Sequence, residues 1–178
     1  MNTATNYHIN SELAMAAYAV LNSGMTVSEY RTALIDKTCG MSATQAESFA
    51  SRYRVVAQFT APIGASATVF ADAQGRRYLA IRGTEDLGDY IVDGILAAGF
   101  PSYINPQFIA LLPQVQSWVD NGILKPGFSI AGHSLGGYLA CAIASLFPGA
   151  QAFTYNSPGL GGLGGQCLGC SARCSRAG

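Results

Sequence analysis

The spacing of apolar and polar residues changes along the chain, and the changes mark its elements. Over residues 8–22 apolar positions recur at helical spacing behind Asn10 and Ser11, with Glu12 in the first turn, which predicts a helix. A second helix is predicted from Thr26-Val27-Ser28-Glu29 through about Asp36, and a third from Ser42-Ala43-Thr44-Gln45 to near Arg54. The period then shortens. Residues 55–60 and 67–71 read as strands, Asp72-Ala73-Gln74-Gly75 as a turn, and residues 77–81 as the next strand of a hairpin. From there strands and helices alternate. Residues 86–98 look helical, 106–119 form an amphipathic helix closed by Asn121-Gly122, and the apolar run 128–131 is a strand. A helical pattern follows to Pro148, and residues 151–155 read as a further buried strand. This order predicts the α/β class, with a mostly parallel sheet flanked by helices.

The sharpest turn in that alternation is Gly132-His133-Ser134-Leu135-Gly136, between a predicted strand and a predicted helix, with a serine at its apex. That is the setting of a nucleophile elbow. A serine on so tight a turn projects its oxygen clear of the sheet only if the residues two before and two after it carry no side chain. Gly132 and Gly136 fill those places, and Gly137 and Ala140 keep the following helix slim. The helix start also directs backbone N–H groups and a positive dipole end toward the serine, where an oxyanion would form. In a chain this rich in glycine the five-residue pattern arises by chance roughly 0.2 times, so the flanking strand and helix matter more than the pattern itself. Arg82-Gly83-Thr84, at the end of the hairpin, is a suitable place for a second oxyanion donor.

Composition narrows the field. With 178 residues the chain suits one domain, and 49% hydrophobic against 11% charged residues makes that domain unusually apolar. Net charge is zero and no basic stripe occurs, which argues against nucleic acid as a partner. The apolar run at 13–21 is too short to span a bilayer, and no basic segment precedes it, so neither a transmembrane segment nor a signal peptide is read. Five cysteines do not complete a disulfide framework. Cys39 and Cys141 are isolated, and Cys141 reads as a buried thiol in the helix after the elbow. Cys167, Cys170 and Cys174 have no fourth ligand nearby, so no metal and no cofactor is expected.

Four stretches, in order, carry a resemblance. Tyr78-Leu79-Ala80-Ile81-Arg82-Gly83-Thr84 is similar to a strand ending in R-G-T, and Asp89-Tyr90-Ile91-Val92-Asp93 resembles a D-W-x-x-D stretch. Gly132-His133-Ser134-Leu135-Gly136-Gly137 reads G-H-S-L-G-G, and Phe153-Thr154-Tyr155-Asn156-Ser157-Pro158 resembles a strand end T-F-G-S-P. Over residues 53–160 the chain thus resembles the class 3 lipases, a branch of the α/β-hydrolase fold that cleaves acylglycerols and related esters. The resemblance implies Ser134 as nucleophile, with the N–H of Leu135 and the N–H and hydroxyl of Thr84 as oxyanion hole. It implies a lid in the helix from Asp86, with Gly83, Gly88, Gly94 and Gly99 as hinges. It also implies a lipid or small ester substrate, met at a lipid–water interface, and export by a route that needs no signal peptide. From spacing, an Arg82–Asp93 ion pair is expected to hold the lid segment.

One requirement is unmet. A serine hydroxyl needs a base, and in this fold an Asp or Glu and then a His follow the nucleophile. After Ser134 the sequence contains no Asp, Glu or His. His8 reads as a surface or capping residue, and His133, adjacent to the serine on a turn where side chains diverge, as a packing residue. Hydrophobic periodicity vanishes after Gly159. A lipase-like domain is therefore read over residues 1–160, with N-terminal helices at 8–54 and sheet and elbow at 55–160. The Gly/Cys-rich stretch 161–178 is read as a disordered tail or the out-of-frame end of a longer gene. The fold would then be incomplete at its C-terminal end, and its last strand would be an open, association-prone edge. Two functions fit: a lipase or esterase working through an acyl-serine on Ser134, and a non-catalytic truncated fragment or pseudoenzyme that retains an acyl-binding cleft.

Overall fold

The computed structural model describes residues 3–62, 64–83, 105–157 and 175–176. Three helices come first: α1 (Thr3–Ala16), α2 (Val27–Ile35) and α3 (Ala43–Arg52). The last two begin at capping boxes. Thr26 Oγ1 accepts from the Glu29 N–H at 3.3 Å while the Glu29 carboxylate accepts from the Thr26 N–H at 2.9 Å. Ser42 and Gln45 repeat the exchange at 3.2 and 2.9 Å. α1 departs from the expected 8–22. It starts at Thr3, and Ser11, the expected cap, lies inside it with its hydroxyl donating to the His8 carbonyl at 2.8 Å. It stops at Ala16, the Tyr18 and Ala19 N–H groups bond three residues back, and side-chain bonds then hold the chain. Gln58 Oε1 accepts from the Leu21 N–H at 2.8 Å, and its Nε2 donates to the Ala19 carbonyl at 3.1 Å.

The strands are β1 (Tyr53–Thr60), β2 (Ser66–Asp72), β3 (Arg77–Ile81), β4 (Ser129–His133) and β5 (Gln151–Tyr155), hydrogen-bonded in that spatial order. α4 (Pro106–Asp120) precedes β4, and α5 (Leu135–Ala144) joins β4 to β5. β3, β4 and β5 run parallel, but β1–β2 and β2–β3 are antiparallel. The sheet is mixed, which corrects the expectation of a mostly parallel one. The reason is chain length. The connections at 61–65 and 73–76 are too short to carry a strand back to its starting edge, whereas those at 82–128 and 134–150 can hold a crossover.

The outer edge of β5 is paired at Phe153 and Thr154 by a two-residue parallel strand, β6 (Ser175–Arg176), so it is not fully open as expected. The rest of the 161–178 stretch lies outside the described residues. So do the predicted helix 86–98, Thr84, Asp93 and the hinge candidates Gly88, Gly94 and Gly99.

Successive residues of the strands point to opposite faces and build two cores. Val69, Leu79, Ile81 and Ile130 pack with Leu111 and Trp118 of α4 and with Leu139 and Ile143 of α5. Phe70, Tyr78, Ala80 and Ala131 pack on the other face with Leu13, Leu34 and Phe49 from α1, α2 and α3. The architecture is therefore helix layer, mixed sheet, helix layer. α4 and α5 share one face, as successive crossovers of one hand stepping in one direction require. Every residue of α5 is buried, which accounts for much of the apolar composition around the elbow. Among the described residues, no helix is long and apolar enough to cross a membrane.

Candidate functional site

Ser134 sits where β4 ends and α5 begins, at φ 56° and ψ −129°. A positive φ forces Cβ against the backbone and costs a non-glycine residue on the order of 1–3 kcal/mol. Hydrogen bonds on both sides hold the strained residue in place. Its N–H donates to the Tyr155 carbonyl at 2.9 Å, extending the β4–β5 ladder, and its carbonyl accepts from the Gly137 N–H at 3.0 Å.

Packing does the rest, and it turns on glycine. A Cβ on Gly132 would overlap the backbone of Gly136, lying 2.7 Å from the Gly137 nitrogen as well. A Cβ on Gly136 would overlap the Ile81 carbonyl and lie 2.8 Å from the Gly83 nitrogen. One on Gly137 would stand 2.7 Å from the Ser157 side chain. The turn thus brings α5 against the ends of β3 and β4 at backbone-to-backbone distance, the arrangement expected of Gly132 and Gly136. Gly137 meets the segment after β5, where Asn156 adopts φ 47°.

The Ser134 hydroxyl does not cap the helix. Serine at a helix N-cap ordinarily accepts from an N–H in the first turn, but this side chain makes no capping bond. The residue is 8% exposed. Next to it, Leu135 occupies the first position of α5, where a helix leaves its N–H groups without an internal partner and its dipole end is positive. The Ser134 hydroxyl and a helix-start N–H are therefore adjacent. The second expected donor, Thr84, lies outside the described residues.

The structure also brings in a residue that the sequence reading did not single out. The Tyr18 hydroxyl lies 3.1 Å from His133 Nδ1, and the two rings meet edge to face at 6.1 Å between centroids. A Cβ on Gly83 would come within 2.7 Å of the same hydroxyl and 2.9 Å of the His133 carbonyl. Tyr18 follows α1, so the N-terminal layer reaches the elbow directly. Nothing local in the sequence signals a pairing across 115 positions. His133, expected to pack, does so against Tyr18 and through a hydrogen bond.

The remaining candidates are dispersed. His8 projects from α1 with its side chain 72% exposed, 3.9 Å from the Glu12 carboxylate. Glu12 in turn takes a two-pronged ion pair from Arg52 at 2.8 and 3.0 Å. Arg82 donates to the Gly64 carbonyl at 2.8 Å, and its expected partner Asp93 is among the undescribed residues. Cys39 and Cys141 are buried. Burial pushes the Cys39 thiol up to about 11, which keeps it protonated and unreactive at neutral pH. Among the described residues, no group of three His, Cys, Asp or Glu side chains is placed to hold a metal ion. Comparison of the chain with protein-family models, with curated proteins and with solved structures returned no match.

Proposed function

We propose that the chain is a serine carboxylic ester hydrolase acting on lipid or small esters, with Ser134 as nucleophile. One observation carries this reading: a serine held at positive φ between strand and helix, its hydroxyl left out of the helix cap and its neighbour's N–H at the helix start. The Ser134 oxygen would bond to the acyl carbon while its proton passes to a base. The tetrahedral oxyanion would face the Leu135 N–H, with Thr84 as the second donor, each such donor contributing about 3–4 kcal/mol. The alcohol would leave with a proton, and water would then release the acid from the acyl-serine. Likeness to the class 3 lipases in the G-H-S-L-G-G and R-G-T stretches supports the same assignment.

A second reading is favoured by one fact, the lack of any Asp, Glu or His in residues 135–178. On that reading the chain is non-catalytic and retains an acyl-binding cleft. Hydrolysis of a short-chain nitrophenyl ester, compared with Ser134→Ala, separates the two. The hydrolase reading expects turnover that falls at least about a thousandfold in the variant, with His8 and His133 then the residues to replace in search of the base. Equal rates for the two proteins reject catalysis.

A further inference from the structure

The sheet has a cleft at the end away from Ser134. It occupies about 390 Å³ at the N-terminal ends of β3 and β4, bounded by α1, the 74–77 turn and the loop before β4. Five residues of β4 separate it from the elbow, roughly 17 Å at strand rise. Among the described residues, the charged side chains that line it are Arg76, Arg77 and Lys125, with no carboxylate. Asp72 lies behind the turn and compensates Arg76 through a 2.6 Å ion pair. The charges of Arg77 and Lys125 have no such partner among the described residues.

Two polar atoms in this lining are buried and unsatisfied. Arg77 Nη1 is shielded from solvent and makes no hydrogen bond among the described residues. Asn10 is 2% exposed, and its Nδ2 donates to the Asn6 carbonyl at 2.8 Å, yet its Oδ1 has no donor among the described residues. Buried groups of this kind are uncommon and call for a partner. One is a cationic donor and the other a neutral acceptor, so with these side chains turned to the cleft an anion and a hydroxyl on one ligand would satisfy both.

We propose that this cleft binds a small phosphate monoester of a polyol. A dianionic phosphate matches the two uncompensated cations, and an arginine fork is suited to its oxygens. A hydroxyl on the carbon skeleton supplies the proton that Asn10 Oδ1 lacks. The volume exceeds what a bare phosphate ion fills and lies within the range of small-ligand sites.

Isothermal titration calorimetry of the whole chain with glycerol 3-phosphate, inorganic phosphate and glycerol at low ionic strength tests the proposal. Glycerol 3-phosphate binds, Arg77→Gln weakens it about tenfold or more, and added salt weakens it further. Lys125 is exposed, so Lys125→Gln leaves the fold intact and is expected to lower affinity about threefold. That variant keeps the test valid should Arg77→Gln fail to fold. Ser134→Ala binds as the parent does, which keeps this site's outcome separate from that of the elbow. No heat with glycerol 3-phosphate, or binding that both charge variants leave unchanged, overturns the proposal. Equal affinity for inorganic phosphate overturns the polyol class.

Discussion

Two turns lie at opposite ends of the sheet, after β2 and after β4, and they hold their backbones in opposite ways. At the first, the Asp72 carboxylate accepts from the backbone N–H groups of Gln74 and Arg76 at 3.0 and 2.9 Å. It also accepts from Arg76 Nε at 2.6 Å and the Tyr78 hydroxyl at 3.0 Å. The positive φ that this turn needs falls on Gly75, at 78°. At the second turn the positive φ falls on Ser134, whose side chain caps nothing, and packing of glycines against backbone holds it. Local hydrogen bonds stabilise the first turn and occupy its Asp72 carboxylate. The second leaves its hydroxyl out of the helix cap and stores strain in its backbone, a pattern that clusters at functional sites.

The comparison is broken most directly by filling the space that the second turn requires to be empty. Gly136→Ala places a methyl against the Ile81 carbonyl, the Gly83 nitrogen and the Arg82 carbonyl carbon, all of them backbone atoms that cannot rotate away. A loss of about 3 kcal/mol or more is expected by urea unfolding, even though alanine favours helix over glycine. Gly75→Ala is the control. Its added Cβ meets nothing within 4 Å, so only the φ of 78° penalises it, at about 1 kcal/mol. Equal costs would mean that steric jamming does not distinguish the two turns.

The hydrogen-bonded turn is tested by removing its charge. Burial raises the Asp72 pKa, but the Arg76 guanidinium, the Arg76 N–H and the Tyr78 hydroxyl more than offset this and hold the carboxyl below the usual aspartate range. A folded-state pKa below the unfolded value, ordinarily near 3.9, gives stability that is present above that value. It is lost as pH falls through the lower folded one. Asp72→Asn is expected to cost about 2 kcal/mol at neutral pH and to flatten the acid limb of a stability–pH curve below about pH 4. Burial and the Asp72 bond also push the Tyr78 hydroxyl up to about 12, so Tyr78 stays a neutral donor throughout that range. An unchanged acid limb would show that Asp72 does not carry the linkage.

How much of this was legible in the sequence follows the same division between local and distant interactions. Thr26 and Ser42 mark the starts of α2 and α3 because a capping box is made by residues three apart. Residues 151–155 coincide with β5, and Gly132 and Gly136 were readable because an elbow is a five-residue object. The extent of α1 was not, since Gln58, about forty positions away, holds the chain at Ala19 and Leu21, where a helix was expected to continue. Sheet direction lay in the connection lengths at 61–65 and 73–76, which outweigh the alternation of strands and helices later in the chain. Tyr18 at His133 was out of reach, because only the sheet's placement of α1 over β4 brings them together.

The smallest effect bears most directly on why the elbow carries a serine. Ser134→Ala removes the hydroxyl and leaves a Cβ at φ 56°, so the backbone strain remains. Ser134→Gly removes both. Glycine loses more conformational entropy on folding, about 0.5–1 kcal/mol relative to alanine, while relief of the strained φ returns on the order of 1–3 kcal/mol. The difference favours the glycine variant by about 1 kcal/mol, readable as a higher urea midpoint at unchanged slope. At an unstrained helix cap glycine would hold no such advantage, and an alanine variant as stable as the glycine one would show that the turn stores no strain. If Ser134→Gly is the more stable and both variants are equally devoid of ester hydrolysis, the parent keeps its serine against stability. Only the chemistry of the hydroxyl then accounts for its presence at that turn.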